Sequence, residues 1–170
     1  MTWEEWKAKG LEGRLEATRR GENPTLIAWM QSGIAVMGDY QLLPGYTLLI
    51  AYPVVKGLES LDLEPRLSFL RDMSLLGQAV MEVCRPLRMN YSVYGNYDPF
   101  LHAHVRARYE WEDAKLREGP FDRYPAEEKS ADEVAFSEAK HGGLRDEIGA
   151  RLRYLMTEAD ALPNASDEGV

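Results

Sequence analysis

The chain has 170 residues, 45% of them hydrophobic, which suits one globular domain with its own core. Its formal net charge of -8, from 28 acidic and 20 basic residues, argues against a surface for nucleic-acid polymers. No apolar run approaches the roughly 20 residues that span a bilayer. The N-terminus does not resemble a signal peptide, so we expect a cytoplasmic protein with no membrane partner.

Residues 2–20 have the approximate spacing of an amphipathic helix, which the turn formers at residues 21–24 should end. Trp3 and Trp6 within this segment are expected to pack on a surface or on a partner chain. Three strands should follow at residues 26–30, 34–37 and 46–51. The first two are predicted to form a hairpin, and the third, which is apolar on both faces, to be a central strand.

Apolar residues at steps of three and four predict a long helix over about residues 63–84, closed by Pro86. Cys84, the single cysteine, excludes an internal disulfide and is expected to be a buried structural thiol. Two further strands are predicted at residues 90–94 and 101–109, joined by turn formers. The charged segment that follows should wrap over the surface and lead into a short C-terminal helix.

Strands in runs with a segregated helix predict an α+β fold, in which one long helix crosses an antiparallel sheet of about five strands. We divide the chain into four parts. These are an N-terminal helical extension (1–24), a core domain (25–110), a C-terminal extension with a short helix (111–157), and an acidic tail expected to be disordered (158–170).

His102 and His104, two of the three histidines, lie two residues apart in a predicted strand, so their imidazoles should share one face. They could be without function. They could bind a metal together with Glu110, in the His-x-His…Glu spacing of cupins, although an all-β barrel does not suit the long helix. They could also act as a nucleophile and its neighbour, in which one imidazole attacks phosphorus and an adjacent imidazolium stabilises the developing charge.

Residues 26–110 resemble the histidine triad (HIT) superfamily of nucleotide hydrolases and transferases. The resemblance rests on five stretches: Asn90-Tyr91, Gly95-Asn96, the run from Phe100 to Tyr109, the segment from Gly38 to Leu49 with its Pro44-Gly45 pair, and the segment from Phe69 to Met73. It implies a HIT-like α+β core, a nucleotide partner, a two-fold homodimer, and no cofactor or metal.

The resemblance also implies roles for single residues. His102 aligns with the histidine that attacks the α-phosphate of AMP conjugates, phosphoramidates or dinucleoside polyphosphates and forms a nucleotidyl-histidine, which water then hydrolyses. His104 aligns with the third histidine of the triad, and Phe100 replaces the first. Asn96 matches an amide near the α-phosphate. Arg106 departs from the family pattern and adds a positive charge on the strand face of the histidines, which could bind phosphate or could end the sheet in solvent.

Two further assignments are less specific. Asp39 stands one residue beyond the family's ribose-binding position, so it either binds the ribose or forms a turn. Arg108 is expected to contact phosphate or to be structural. Because Phe100 removes one triad histidine, a nucleotide-binding protein without turnover is the main alternative. A metal enzyme that uses the His-x-His pair is another.

Overall fold

Five strands form one antiparallel sheet in the order β1-β2-β3-β5-β4, in a computed structural model that describes residues 2–161. The strands are Leu26–Trp29 (β1), Gly33–Met37 (β2), Thr47–Ala51 (β3), Arg88–Ser92 (β4) and His102–Arg108 (β5). The predicted α+β class, the five strands and the central position of β3 are confirmed.

Six α-helices surround this sheet within the described residues. They are Trp3–Lys7 (α1), Leu11–Arg19 (α2), Leu63–Cys84 (α3), Ala114–Arg117 (α4), Ala126–Lys129 (α5) and Glu138–Asp160 (α6). The long helix α3 has the predicted bounds, and it ends where Arg85 takes a left-handed conformation before Pro86. None of the helices in this part of the chain is long and apolar enough to cross a membrane.

One face of the sheet carries the main core. Small side chains on β2 and β5, such as Ala35, Ala103 and Ala107, are fully buried there. Helices α3 and α6 pack against each other, and the same core includes Phe69 of α3 and Leu152 of α6. Burying this apolar surface is the main stabilising contribution to the fold.

The opposite face of the sheet presents the histidines. Cross-strand pairs place Ile50 beside His102 and Leu48 beside His104. A smaller apolar cluster on this side joins the sheet to Leu15 of α2. The N-terminal helices therefore cover the histidine face, while the long helices cover the other.

Several expectations about the ends of the chain were wrong. The N-terminal segment is two helices separated at Gly10, and Trp6 is buried within its own chain, with 1% of its surface exposed. The C-terminal helix is long, with 23 residues, because its buried positions from Ile148 to Leu155 pack on α3 and β1. It continues to Asp160, into the predicted tail; the rest of that tail lies outside the described residues.

The segment between β5 and α6 is also more than a surface wrap. It buries Glu112, Tyr124 and Phe136, and its main chain pairs with that of Asp39 and Gln41. This segment consequently holds the loop between β2 and β3 in place.

Candidate active site

A cavity of about 520 Å³ lies between the histidine face of the sheet and the two N-terminal helices. Its apolar wall includes the aliphatic side chains of Leu11, Leu15, Ile34, Val36, Leu48 and Ile50. The polar side chains that line it include Arg14, Asp39, Tyr46, Asp98, His102 and His104. A cavity of this size that combines an apolar wall with convergent polar side chains is typical of a small-molecule site.

His102 is held by the main chain of Phe100. Its Nδ1 lies 2.9 Å from the carbonyl oxygen of Phe100, which can only accept a hydrogen bond. In a neutral imidazole the proton is therefore on Nδ1, and Nε2 carries the free lone pair. The side chain of His102 is 5% exposed and its ring packs against that of Phe100, with ring centroids 4.8 Å apart. The geometry thus suits Nε2 as a nucleophile.

His104 has the opposite arrangement. Its Nδ1 lies 2.7 Å from the hydroxyl of Tyr46 and 3.2 Å from Nη2 of Arg106. Since a guanidinium can only donate, Nδ1 of His104 is an acceptor and the proton of the neutral ring is on Nε2. Burial, followed by the charges of Arg106 and His102, lowers the pKa of His104 to about 3.

The two imidazoles therefore offer complementary atoms. Their ring centroids are 4.8 Å apart, with the planes at 75°. One ring presents a lone pair and the other an N–H. The lowered pKa of His104 favours a neutral ring beside the nucleophile in place of the imidazolium that the sequence-based hypothesis included.

Arg106 lies on the histidine face, as the strand alternation predicted. Its guanidinium contacts two aromatic rings that stack on each other, 4.5 Å from the centroid of Tyr46 and 4.6 Å from that of Phe121. Its Nη1 donates to Ser92 across 3.3 Å. These cation–π contacts and the hydrogen bond hold the side chain beside His104.

Asp39 is engaged by a residue that the resemblance did not include. Both of its carboxylate oxygens accept hydrogen bonds from Arg14 of α2, at 2.9 and 2.7 Å. Arg14 also lies over the ring of Trp6, 4.9 Å from the centroid. Asp39 does line the cavity, but its carboxylate ties the N-terminal helices to the sheet.

The other two sequence-based binding residues lie elsewhere. Asn96 is exposed and borders a second, more open depression beside Lys56, although the adjacent Tyr97 lines the cavity. Arg108 is 1% exposed, and its guanidinium contacts Glu112, Asn90 and two main-chain carbonyls. Its contacts fit the structural alternative.

The metal hypothesis required Glu110 to approach the histidines. Within residues 2–161, no three side chains among His, Cys, Asp and Glu are placed to hold a metal ion together. Glu110 is exposed beyond the end of β5. The geometry therefore provides two imidazoles at the cavity but no third ligand beside them.

Two functional candidates were missed in the sequence. Tyr46 directly follows the Pro44-Gly45 turn, in which Gly45 has a φ of +81°, and alternation with Leu48 places it on the histidine face. That spacing could have identified it. Arg14 gave no such signal, because its contact with Asp39 spans 25 positions.

No protein-family model matches the sequence, and no curated protein matches it significantly. Solved structures do resemble it. A histidine triad protein from Marinobacter aquaeolei VT8 is 21% identical, with a TM-score of 0.61, over 82% of this chain and 94% of that one. One from Bradyrhizobium japonicum is 19% identical, with a TM-score of 0.60, over 81% and 94%.

A third similar structure is a hypothetical histidine triad nucleotide-binding protein from Sulfolobus tokodaii strain7. It is 12% identical, with a TM-score of 0.65, over 89% of this chain and 99% of that one. At these identities the comparisons concern the fold, and they agree with the predicted HIT-like architecture. The chain therefore has the fold of the histidine triad proteins.

Proposed function

We propose that this protein binds a nucleotide in the cavity and cleaves the bond between the α-phosphate and its leaving group, with His102 as the nucleophile. The observation that carries the proposal is the hydrogen bond from Nδ1 of His102 to the carbonyl of Phe100, because it leaves the lone pair on Nε2. The triad lacks its first histidine, yet this orienting contact needs only the main chain of residue 100.

The reaction has two steps. Nε2 of His102 attacks the α-phosphorus, a P–N bond forms, and the leaving group departs with the electron pair of the broken bond. The imidazole becomes a cation that still donates from Nδ1 to Phe100. Water then attacks phosphorus and loses a proton to solvent, the P–N electrons return to Nε2, and a nucleoside monophosphate is released. Nε2–H of His104 is suited to donate to a phosphoryl oxygen in both steps.

The remainder of the nucleotide would occupy the apolar part of the cavity. The side chains of Leu15, Ile34 and Val36 suit a planar base. Asp39 could accept from a ribose hydroxyl while it retains Arg14 through its other oxygen. The side chain of Asn96 lies outside this cavity. Its contact with the phosphate is part of the proposed nucleotide-bound state and requires its loop to move.

We also propose a homodimer through the β4 edge of the sheet. β4 pairs with β5 on one side only, which leaves main-chain groups available on the other. Tyr91 on this strand is 44% exposed, and Leu87, which directly precedes the strand, is 47% exposed. Light scattering on a sizing column should give twice the chain mass for the wild type and a single chain mass for Tyr91→Lys. A monomeric wild-type protein would contradict the dimer.

The rival function is a protein that holds a nucleotide without turnover. Phe100 favours it, because an aromatic ring stands where the resemblance expects a histidine. Incubation with a diadenosine polyphosphate, followed by separation of the products, decides between the two. Release of AMP supports the enzyme. Binding that raises thermal stability without release of AMP would leave only the nucleotide-holding function.

A further inference from the structure

Tyr46 and Arg106 form a chain of hydrogen bonds that ends on His104. Nη2 of Arg106 lies 3.3 Å from the hydroxyl oxygen of Tyr46, which in turn lies 2.7 Å from Nδ1 of His104. The guanidinium can only donate, so the hydroxyl accepts from it and directs its own hydrogen to the imidazole. Such a chain polarises each of its members in the same direction.

The position of Arg106 is fixed independently of His104. The stacked aromatic rings of Tyr46 and Phe121 both contact its guanidinium, and Ser92 accepts from its other terminal nitrogen. A proton on Nδ1 of His104 would therefore point toward an N–H group of Arg106, which cannot accept it. The packing resists an imidazolium at this position before any substrate arrives.

We propose that Tyr46 and Arg106 are positioning residues that hold His104 as a neutral Nε2–H donor, and that the site consequently selects substrates whose leaving group departs as an anion. The second half rests on the proposed function, with His102 as nucleophile. The first half concerns the state of one ring and is independent of turnover.

The preference for anionic leaving groups follows from the fate of the electron pair of the broken bond to phosphorus. When Nε2 of His102 displaces a phosphate or carboxylate, the P–O bond breaks and the oxygen leaves as a stable anion without a proton. An amine leaving group must instead receive a proton as the P–N bond breaks. A neutral His104 is a poor source of that proton, so phosphoric anhydrides are the expected class and phosphoramidates the disfavoured one.

The charged and titratable groups around His104 come from three elements. Arg106 and His102 are on β5, Tyr46 precedes β3, and Tyr94 follows β4, with its hydroxyl 3.4 Å from Asp122. Arg106 is the group in direct contact that opposes a proton on His104. Its removal should therefore make the ring easier to protonate.

The first test is nitrogen NMR of ¹⁵N-histidine-labelled protein across a pH series. Wild-type His104 should carry its proton on Nε2 and stay neutral at pH 5. In Arg106→Met the ring should titrate at a higher pH, and when Tyr46→Phe is added to Arg106→Met the Nδ1–H form should become populated. Arg153→Met and Tyr154→Phe, on the exposed surface of α6, are the matched controls and should leave the His104 signals unchanged. A His104 that protonates near pH 6.5 in the wild type would overturn the positioning role.

The second test compares the rates at which two adenosine substrates are cleaved, one a phosphoric anhydride and the other a 5′-phosphoramidate. The wild type should cleave the phosphoramidate roughly 100-fold more slowly, the usual contribution of a general acid. Arg106→Met should narrow that ratio below pH 6. Equal rates in the wild type would overturn the substrate class. If neither compound is cleaved, the proposed function fails, and the NMR result still decides the state of His104.

Discussion

The imidazole of His102 donates from Nδ1 to the main-chain oxygen of Phe100 across 2.9 Å. The residue that replaces the first histidine of the triad thus still orients the proposed nucleophile, through its backbone. Because every L-residue has this carbonyl, the contact tolerates a change of side chain at position 100. We therefore expect the missing histidine to reduce the proposed activity less than the sequence alone suggested.

Replacing the ring at position 100 tests this relationship. Phe100→His should maintain or raise the turnover of an anhydride substrate, because the carbonyl remains and a second imidazole is added. Phe100→Ala should lower turnover, since it removes the ring that packs 4.8 Å from the centroid of His102. Steady-state rates of the two variants provide the measurement. A marked loss in Phe100→His would show that the cavity requires the aromatic ring itself.

Removal of the nucleophile should abolish turnover without unfolding the protein. In His102→Ala, the buried imidazole lost from the cavity wall should cost about 1 kcal/mol of stability, a typical value for a point substitution. His141→Ala is the control. His141 accepts from the main chain of Ser137 at the start of α6, outside the cavity, so its loss should affect stability alone. Turnover in His102→Ala would contradict the assignment of His102 as the nucleophile.

Asp39 should contribute to the choice of sugar. If one carboxylate oxygen accepts from the ribose, Asp39→Asn should weaken binding of AMP more than binding of its 2′-deoxy analogue. Titration calorimetry of both nucleotides measures the difference. Arg14→Met separates the second role, because it frees α2 from the sheet and should weaken both nucleotides alike. Equal losses of affinity for the two nucleotides in Asp39→Asn would show that Asp39 only holds α2 against the sheet.

Arg108 and Arg106 should behave differently although they share one face of β5. Arg108 and Glu112 form a fully buried ion pair, so removing one partner should cost about 3–5 kcal/mol. Burial opposes ionisation of Glu112, but hydrogen bonds from Arg108, Tyr124 and the Tyr109 main chain lower its pKa.

Arg108→Met and the milder Glu112→Gln should therefore lower the melting temperature strongly and leave nucleotide affinity of the folded protein unchanged. Arg106→Met should lower the melting temperature less, because Arg106 is only half-buried. Thermal unfolding with and without AMP measures both properties. Loss of AMP binding in folded Glu112→Gln would instead support the expectation that Arg108 contacts phosphate.

The low pKa of His104 also predicts how stability depends on pH. The unfolded ring titrates at its ordinary pKa of 6.5, whereas the folded ring titrates at about 3. Between these values the unfolded chain binds more protons, so this contribution to stability is complete above pH 6.5 and is lost as pH falls toward 3. Urea unfolding at pH 7 and 5 should show a smaller stability loss in His104→Gln than in the wild type. Equal losses would contradict a depressed pKa.

The sequence predicted the architecture well where local patterns are strong. The helix over residues 63–84 follows from apolar spacing, and the shared face of His102 and His104 follows from strand alternation. The C-terminal helix α6 was predicted too short, because its buried positions pack on α3 and β1 and few residues in its first half are apolar. Tertiary packing decides such a helix more than its own periodicity.

The site was predicted less completely, for a related reason. A resemblance can align His102 with a nucleophile, but the tautomer of each imidazole depends on atoms brought together by folding. The hydroxyl of Tyr46 reaches His104 across 58 positions of the chain. The contacts that assign Arg108 to the interior likewise come from a segment beyond the resemblance, including Glu112 and the carbonyl of Leu116.

Trapping the covalent intermediate tests the central claim most directly. The protein is mixed with a diadenosine polyphosphate, quenched in alkali to protect a P–N bond, and digested for mass spectrometry. The account predicts one adenylyl group on the peptide that contains His102, localised to that residue and absent in His102→Ala. AMP release with no adduct on His102, or an adduct on His104 in its place, would contradict the account.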